Sequence, residues 1–281
     1  MNLEDKLRGV PKIYYLNLDE RVDRKEYMET QFNYWGVKYK RISGSNYLFS
    51  KFNEWSDILS NQRNCKFGPR ESSNFVSHIL MIKDWLENTN EDTMIMMEDD
   101  YDLSLIKYWN FDWEYLMDNI PHDWDCIQLG FESFSSIKFF LHEKQYDTNF
   151  GACMINRPFA EKLLKLYYKN NKVIVDYKTC DYNRTDNYNA ANIDYAVCNN
   201  GKTYCIPLIP QNPHFTSWEN FDPREGEFKE HFYKTHEIYH FWWKNEHHKF
   251  RVENFFMYNK PEEIERKMTK QIKFSKSFEY R

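Results

Sequence analysis

Three consecutive carboxylates, Glu98-Asp99-Asp100, close the apolar run Thr93-Met94-Ile95-Met96-Met97. A short apolar run bounded by polar residues reads as a buried strand, and a buried strand has no room for three carboxylates inside. They must emerge at its C-terminal end, where open α/β sheets place their ligand crevices. Adjacent carboxylates raise each other's pKa unless a cation sits between them. Oxygen ligands of this kind suit Mg2+ or Mn2+, ions that commonly bridge protein acids to substrate phosphates. The competing reading is a strand followed by an acidic turn, with Asp102 continuing the acidity.

A second pattern that suits a metal lies in the last quarter, where His236-Glu237-Ile238-Tyr239-His240 satisfies HExxH. On a helix its two histidines share a face and suit Zn2+, with Glu237 as base and Glu262 or Glu263 as a third ligand. That is a zinc hydrolase reading. Five histidines crowd residues 231–248, so the pattern also arises there easily by chance.

Elements must position these groups. Lys12 to Leu18 (KIYYLNL) is strand-like, and Asp19-Glu20-Arg21-Val22-Asp23-Arg24 carries the N-cap and first-turn chemistry of a helix. The stripe of that helix is Val22, Met28, Phe32 and Trp35, and Gly36 stops it. With a second strand over Val37 to Ile42 this makes a β-α-β opening, the start of a parallel sheet. Residues 43–70 read as a long polar loop. Ser72 or Ser73 caps a helix whose face is Phe75, Val76, Ile79, Ile82, Trp85 and Leu86, and this helix leads into the 93–97 strand. A helical, aromatic-rich segment (103–119) and strands at 126–130 and 150–155 follow. Next come a helix with Pro158 in its first turn and Leu163, Leu164 and Leu166 inward, then a polar loop over 176–192. A short helix over 192–197, a strand at 203–209 and a helix over 261–268 complete the pattern.

The chain of 281 residues carries 41% hydrophobic and 29% charged residues, enough for a substantial core in a soluble protein. A net charge of −5 gives no electrostatic case for nucleic acid as a partner. No apolar stretch approaches the ~20 residues of a membrane span. The start lacks the apolar core of a signal peptide, so the expected location is the cytoplasm, or the host cytoplasm for a viral chain. The six cysteines include no CxxC pair, and four lie in apolar or strand-like contexts that suit buried free thiols. The sequon Asn183-Arg184-Thr185 then carries no glycan. Aromatics make up 19% of the chain but are scattered, as packing residues are.

Six segments, in order over residues 12–211, resemble glycosyltransferase family 25, which includes lipooligosaccharide and procollagen galactosyltransferases. KIYYLNLDERVDRKEYM is similar to that family's apolar strand, Asn-Leu-Asp and Arg-x-x-Arg turn, here Asn17, Leu18, Asp19, Arg21 and Arg24. Ser77-His78 resembles its "SH" helix, MIMMEDD its acidic metal-binding signature, and DWDCIQLG (123–130) its "WD-apolar-apolar-x-LG" strand. NFGACMINRPFAEKLL (149–164) resembles its glycine-led block, and Asn192-Ile-Asp194 with YCIPLIPQ (204–211) its "V-D" and "P-L-x-x-Q" positions. The loop at 43–70 and the last quarter fall outside the likeness, and Ile193 replaces the usual Val.

The resemblance implies an α/β, GT-A-like fold with a mainly parallel central sheet flanked by helices. It implies a catalytic domain over 1–220; outside the likeness, 221–281 is expected to be an aromatic, histidine-rich extension packed on that domain, whose aromatic content suits either covering the acceptor site or homo-oligomerisation. The implied activity is metal-dependent transfer of galactose or glucose from a UDP-hexose, with inversion, to a hydroxyl acceptor: a glycan, a lipid-linked saccharide or a protein side chain. Mn2+ or Mg2+ would sit on Asp100, with Asp99 shared between metal and ribose, Glu98 behind them, and His214 as a late ligand. His214 reads equally as a loop histidine bonded to backbone. Asp194 is the expected general base, or else a helix N-cap. Asn17, Asp19 and Arg21 would hold the nucleotide, and Ser77 and His78 would touch the donor. Arg24 reads as a solvated helix charge. A sugar-binding relative without activity is a further alternative, and the intact acidic triplet argues against it.

Overall fold

The computed structural model describes residues 5–44, 54–58, 69–133, 135–144, 151–176, 192–198, 200–215 and 225–272. Its elements begin with β1 (Ile13–Asn17), α1 (Val22–Trp35), β2 (Tyr39–Ser43), β3 (Ser56–Ile58), α2 (Pro69–Asn88) and β4 (Thr93–Glu98). The middle of the chain forms α3 (Trp113–Asn119), β5 (Cys126–Gln128), β6 (Ser136–Lys138), β7 (His142–Glu143), β8 (Cys153–Asn156) and α4 (Arg157–Tyr167). Then follow β9 (Tyr168–Lys169), β10 (Lys172–Val175), α5 (Ile193–Cys198), β11 (Thr203–Cys205), α6 (Glu225–Asn245), α7 (Glu262–Met268) and β12 (Thr269–Gln271).

The main sheet has the order β2-β1-β4-β8-β5-β11-β7. β1 runs parallel to both β2 and β4, β11 is parallel to β5, and β8 and β7 oppose their neighbours. The chain is thus a mixed α/β protein with a large, mostly parallel central sheet, compatible with a GT-A-like fold. Side chains alternate across each strand. Ile13, Tyr15, Ile95 and Met97 pack with Met28 and Phe32 of α1, while Tyr14, Leu16, Met94 and Met96 pack with Phe75, Ile79 and Trp85 of α2. A strand covered on both faces must be apolar at every position, which is why 94–97 is an unbroken run. No described helix is long and apolar enough to cross a membrane.

The last quarter adds to the core on the α1 side. Tyr239, Trp242 and Trp243 of α6 are fully buried there. Trp242 stacks on Phe139 with ring centroids 4.5 Å apart, and the Trp243 indole N–H donates to the Pro207 carbonyl at 2.8 Å. β12 pairs with β6.

Several elements depart from expectation. Val22 is exposed, and Arg24 takes the inward position on α1 beside Met28 and Phe32. The 103–119 segment is no single helix. Asp102 caps a 3-10 turn over Leu103–Tyr108 through the Ser104 N–H, and Asp112 caps α3 through the Tyr115 N–H. Two Asp caps within one stretch favour two short helices over one long one. The late strand stops at Cys205, since Pro207 has no N–H to continue the ladder. Cys126, Cys153, Cys198 and Cys205 are buried free thiols, while Cys65, Cys180, most of 43–70 and most of 176–192 lie outside the described residues.

Candidate active site

The sheet order reverses at β1: β2 lies on one side of it and β4 on the other. At such a switch point the carboxyl ends of neighbouring strands leave a crevice between diverging connections. β1 ends there with Asn17 and β4 with Glu98, in parallel register with Leu16 opposite Glu98.

Asn17 is the hub. Its Nδ2 donates to Asp99 Oδ2 at 2.7 Å and to the Arg21 carbonyl at 3.0 Å, and its Oδ1 accepts from Arg41 Nε at 2.7 Å. Arg41 also pairs with Asp19, which accepts from the Ser43 hydroxyl at 2.9 Å. Arg24 Nη1 donates to Asp99 Oδ1 at 2.7 Å and lies 3.5 Å from Asp100 Oδ2. Both partners are buried, so the expected solvated charge is in fact a buried counter-ion. Isolated carboxylates would not tolerate this burial, and the guanidinium makes it possible.

Asp100 is held from the other side. Gln211 Nε2 donates to its Oδ2 at 2.7 Å, the Asn212 N–H donates to its carbonyl at 2.6 Å, and the Asp102 N–H donates to the Pro210 carbonyl at 2.8 Å. This short ladder carries residues 210–212 against 100–102. Two glycines let the backbones approach. A Cβ on Gly130 would meet the Ile209 carbonyl oxygen at 2.0 Å, and one on Gly151 the Gly130 carbonyl oxygen at 1.7 Å.

Charge here is unbalanced. Burial pushes the Asp100 carboxyl up to about 8 and also raises Asp99; Arg24 pulls both back, and Glu98 adds repulsion. Among the described residues, Asp100 Oδ1 and the Nε and Nη2 of Arg24 are buried with no hydrogen-bond partner. Buried polar atoms are nearly always satisfied, and these open ones belong to two side chains that approach to 3.5 Å at Arg24 Nη1 and Asp100 Oδ2.

The other expected residues lie as follows. Glu98 accepts from Asn74 Nδ2 at 2.7 Å, and the buried His78 donates from Nδ1 to the Asn74 carbonyl at 2.9 Å. Burial lowers the basicity of His78, against the pull of Glu98. The Ser77 hydroxyl donates to the Ser73 carbonyl of its own helix. Arg21 turns to Asp23 at 2.8 Å near the surface. His214 is exposed and meets the Tyr233 hydroxyl at 3.1 Å. Asp194 lies half-buried in the first turn of α5, whose cap is Asn192, with Oδ1 accepting from the Asp194 N–H at 2.8 Å. The structure brings Asn17, Asp99 and Asp100 together; no described hydrogen bond or ion pair ties His214 or Asp194 to them.

A second cluster stands two residues beyond Asp100. Asp102 Oδ2 lies 3.0 Å from His240 Nε2 and 3.4 Å from His236 Nε2. Glu237 of the HExxH pattern is exposed, and the residue that joins the histidines is Asp102, whereas Glu262 and Glu263 are exposed on α7. Of the groups at both sites, Arg24 and Gln211 had a signal in the family-like blocks. Asp102 read as continuing acidity, and nothing in the sequence marked Arg41 or Asn74.

No family model matches the chain, and no curated protein matches it in sequence. Solved structures similar to it include A197 from STIV, with 11% identity, a TM-score of 0.37, and coverage of 72% of this chain and 84% of that one. A glycosyltransferase involved in the glycosylation of the major capsid of PBCV-1 has 9% identity, a TM-score of 0.36, and coverage of 79% and 98%. The inositol-1-phosphate CTP transferase from T. maritima has 10% identity, a TM-score of 0.34, and coverage of 81% and 96%. Likeness of this degree carries no argument about the reaction.

Proposed function

We propose that the chain is a glycosyltransferase that moves a hexose, galactose or glucose, from a UDP-sugar to a hydroxyl acceptor on a glycan, lipid-linked saccharide or protein. The observation that carries this reading is the set of open, buried valences on one ion pair at the β1–β4 switch point, Oδ1 of Asp100 and the Nε and Nη2 of Arg24. A hydroxyl both donates and accepts, so a ribose or hexose hydroxyl satisfies both kinds of atom at once. A plain phosphate would satisfy only the guanidinium. The family-like blocks that carry Asn17, Asp99–Asp100 and Gln211 supply the rest of the support, since these residues meet at this one place.

In this reading Asn17 and Arg24 orient Asp99 for the ribose, and where Mn2+ or Mg2+ binds, Asp100 would turn its open oxygen to the ion and leave the sugar hydroxyl to the Arg24 donors. The donor set fits such an ion in part. Asp100 has an oxygen to give, while both oxygens of Asp99 are engaged by Arg24 and Asn17. The ion would neutralise the departing diphosphate. Asp194 is the base we assign to the acceptor hydroxyl, and His214 the late ligand. Ser77 and His78 shape the donor side through α2.

The test is UDP-sugar turnover with and without Mn2+, together with thermal stabilisation by each nucleotide sugar. Asp100→Ala is expected to lower turnover by roughly 100-fold or more, the scale on which single electrostatic groups act. No stabilisation by any UDP-sugar would sink the proposal.

A further inference from the structure

We infer that Asp102, His236 and His240 form a binding site for a divalent transition-metal ion of the zinc type, separate from the Asp99–Asp100 pair. Histidines four apart on α6 share one face. Their Nε2 atoms converge on one oxygen of Asp102, at 3.4 Å and 3.0 Å, and their rings lie 4.1 Å apart. The 3.0 Å and 3.4 Å that separate Asp102 Oδ2 from the two imidazole nitrogens are spacings that one ion with bonds of about 2.0–2.2 Å to each atom bridges.

Asp102 is oriented before any ion arrives. Its Oδ1 accepts from the Ser104 N–H at 2.7 Å, which leaves Oδ2 to face the imidazoles. The side chains are 12%, 22% and 18% exposed for Asp102, His236 and His240, so an ion reaches them from solvent.

Ligand type separates this site from its neighbour. Two imidazoles and one carboxylate suit Zn2+ or Co2+, whereas the oxygen-only pair at Asp99–Asp100 suits Mg2+ or Mn2+. Three protein ligands leave a fourth position open for water or a substrate group. Glu237 is exposed rather than joined to the cluster, so the ion here serves as a clip between α6 and the turn after β4, not as a peptidase centre.

The experiment needs no nucleotide sugar, so its outcome stands apart from that of the transferase reading. The full chain is stripped with a chelator and titrated with Zn2+ against a chromophoric competitor, then with Co2+ by visible absorption. One equivalent should bind, with a Co2+ spectrum of low coordination number. His236→Ala and His240→Ala should each weaken binding by more than the roughly 10- to 100-fold that outer-shell changes cost, while Asp100→Asn leaves it intact. Should an alanine variant fail to fold by circular dichroism, His240→Gln replaces it, and the wild-type Co2+ spectrum decides independently. Absence of stoichiometric binding, or binding retained in both histidine variants, would overturn the site.

Discussion

Asp100 is a buried carboxyl that shares one guanidinium with Asp99, and its acid–base behaviour follows from that shortage. Its folded pKa, near 8, lies above its ordinary value of 3.8. Between those limits the folded chain holds a proton that the unfolded chain has lost. Stability therefore falls as pH rises from about 4 to about 8 and levels off above. In metal-free buffer, Asp100→Asn should remove that decline, and thermal midpoints of both proteins across the window measure it. A variant with the same slope as wild type would show the carboxyl to be ionised throughout. At this scale sequence reading found the acids and misjudged their counter-ion. A helix arginine reads as solvated because most are, and only the approach of Asp99 makes Arg24 an interior residue.

Elements were legible where a local rule governs them. β4 is an unbroken apolar run because helices cover both its faces, and Gly36 ends α1 at φ 65°, a conformation that glycine adopts without strain. The 103–119 segment was not legible as two pieces, because its aromatic content hid the second Asp cap. The glycines that admit residues 208–212 belong to this scale too. Gly151→Ala places a methyl 1.7 Å from a backbone oxygen that no rotamer change relieves. The variant should lose about 3 kcal/mol in urea unfolding, the upper end of ordinary overpacking. It should also weaken whatever binds at Asp100, since the displaced Gly130 backbone packs on Ile209, two residues before Gln211.

For the whole molecule, the described part of the last quarter contributes side chains to the core. Trp243 is fully buried against Phe255 and Phe111. Trp243→Ala should therefore cost about 3–5 kcal/mol in chemical denaturation, as for other large core truncations. A change below 1 kcal/mol would place α6 outside the cooperative unit. Sequence alone could not reveal this arrangement, nor the Asp102 cluster. His240 is separated from Asp102 by 138 residues and Gln211 from Asp100 by 111, distances over which no periodicity speaks. The same separations govern how the protein is made. The turn bearing Asp99, Asp100 and Asp102 leaves the ribosome long before Gln211, His236 and His240 exist. At roughly 5–20 residues per second the delay is on the order of ten seconds. Through that interval Asp99 and Asp100 wait at the end of an apolar strand with Arg24 and Asn17 to pair them, and Asp102 with the Ser104 N–H. The nascent chain must stay open there, and the site closes only after residues 211–240 have emerged.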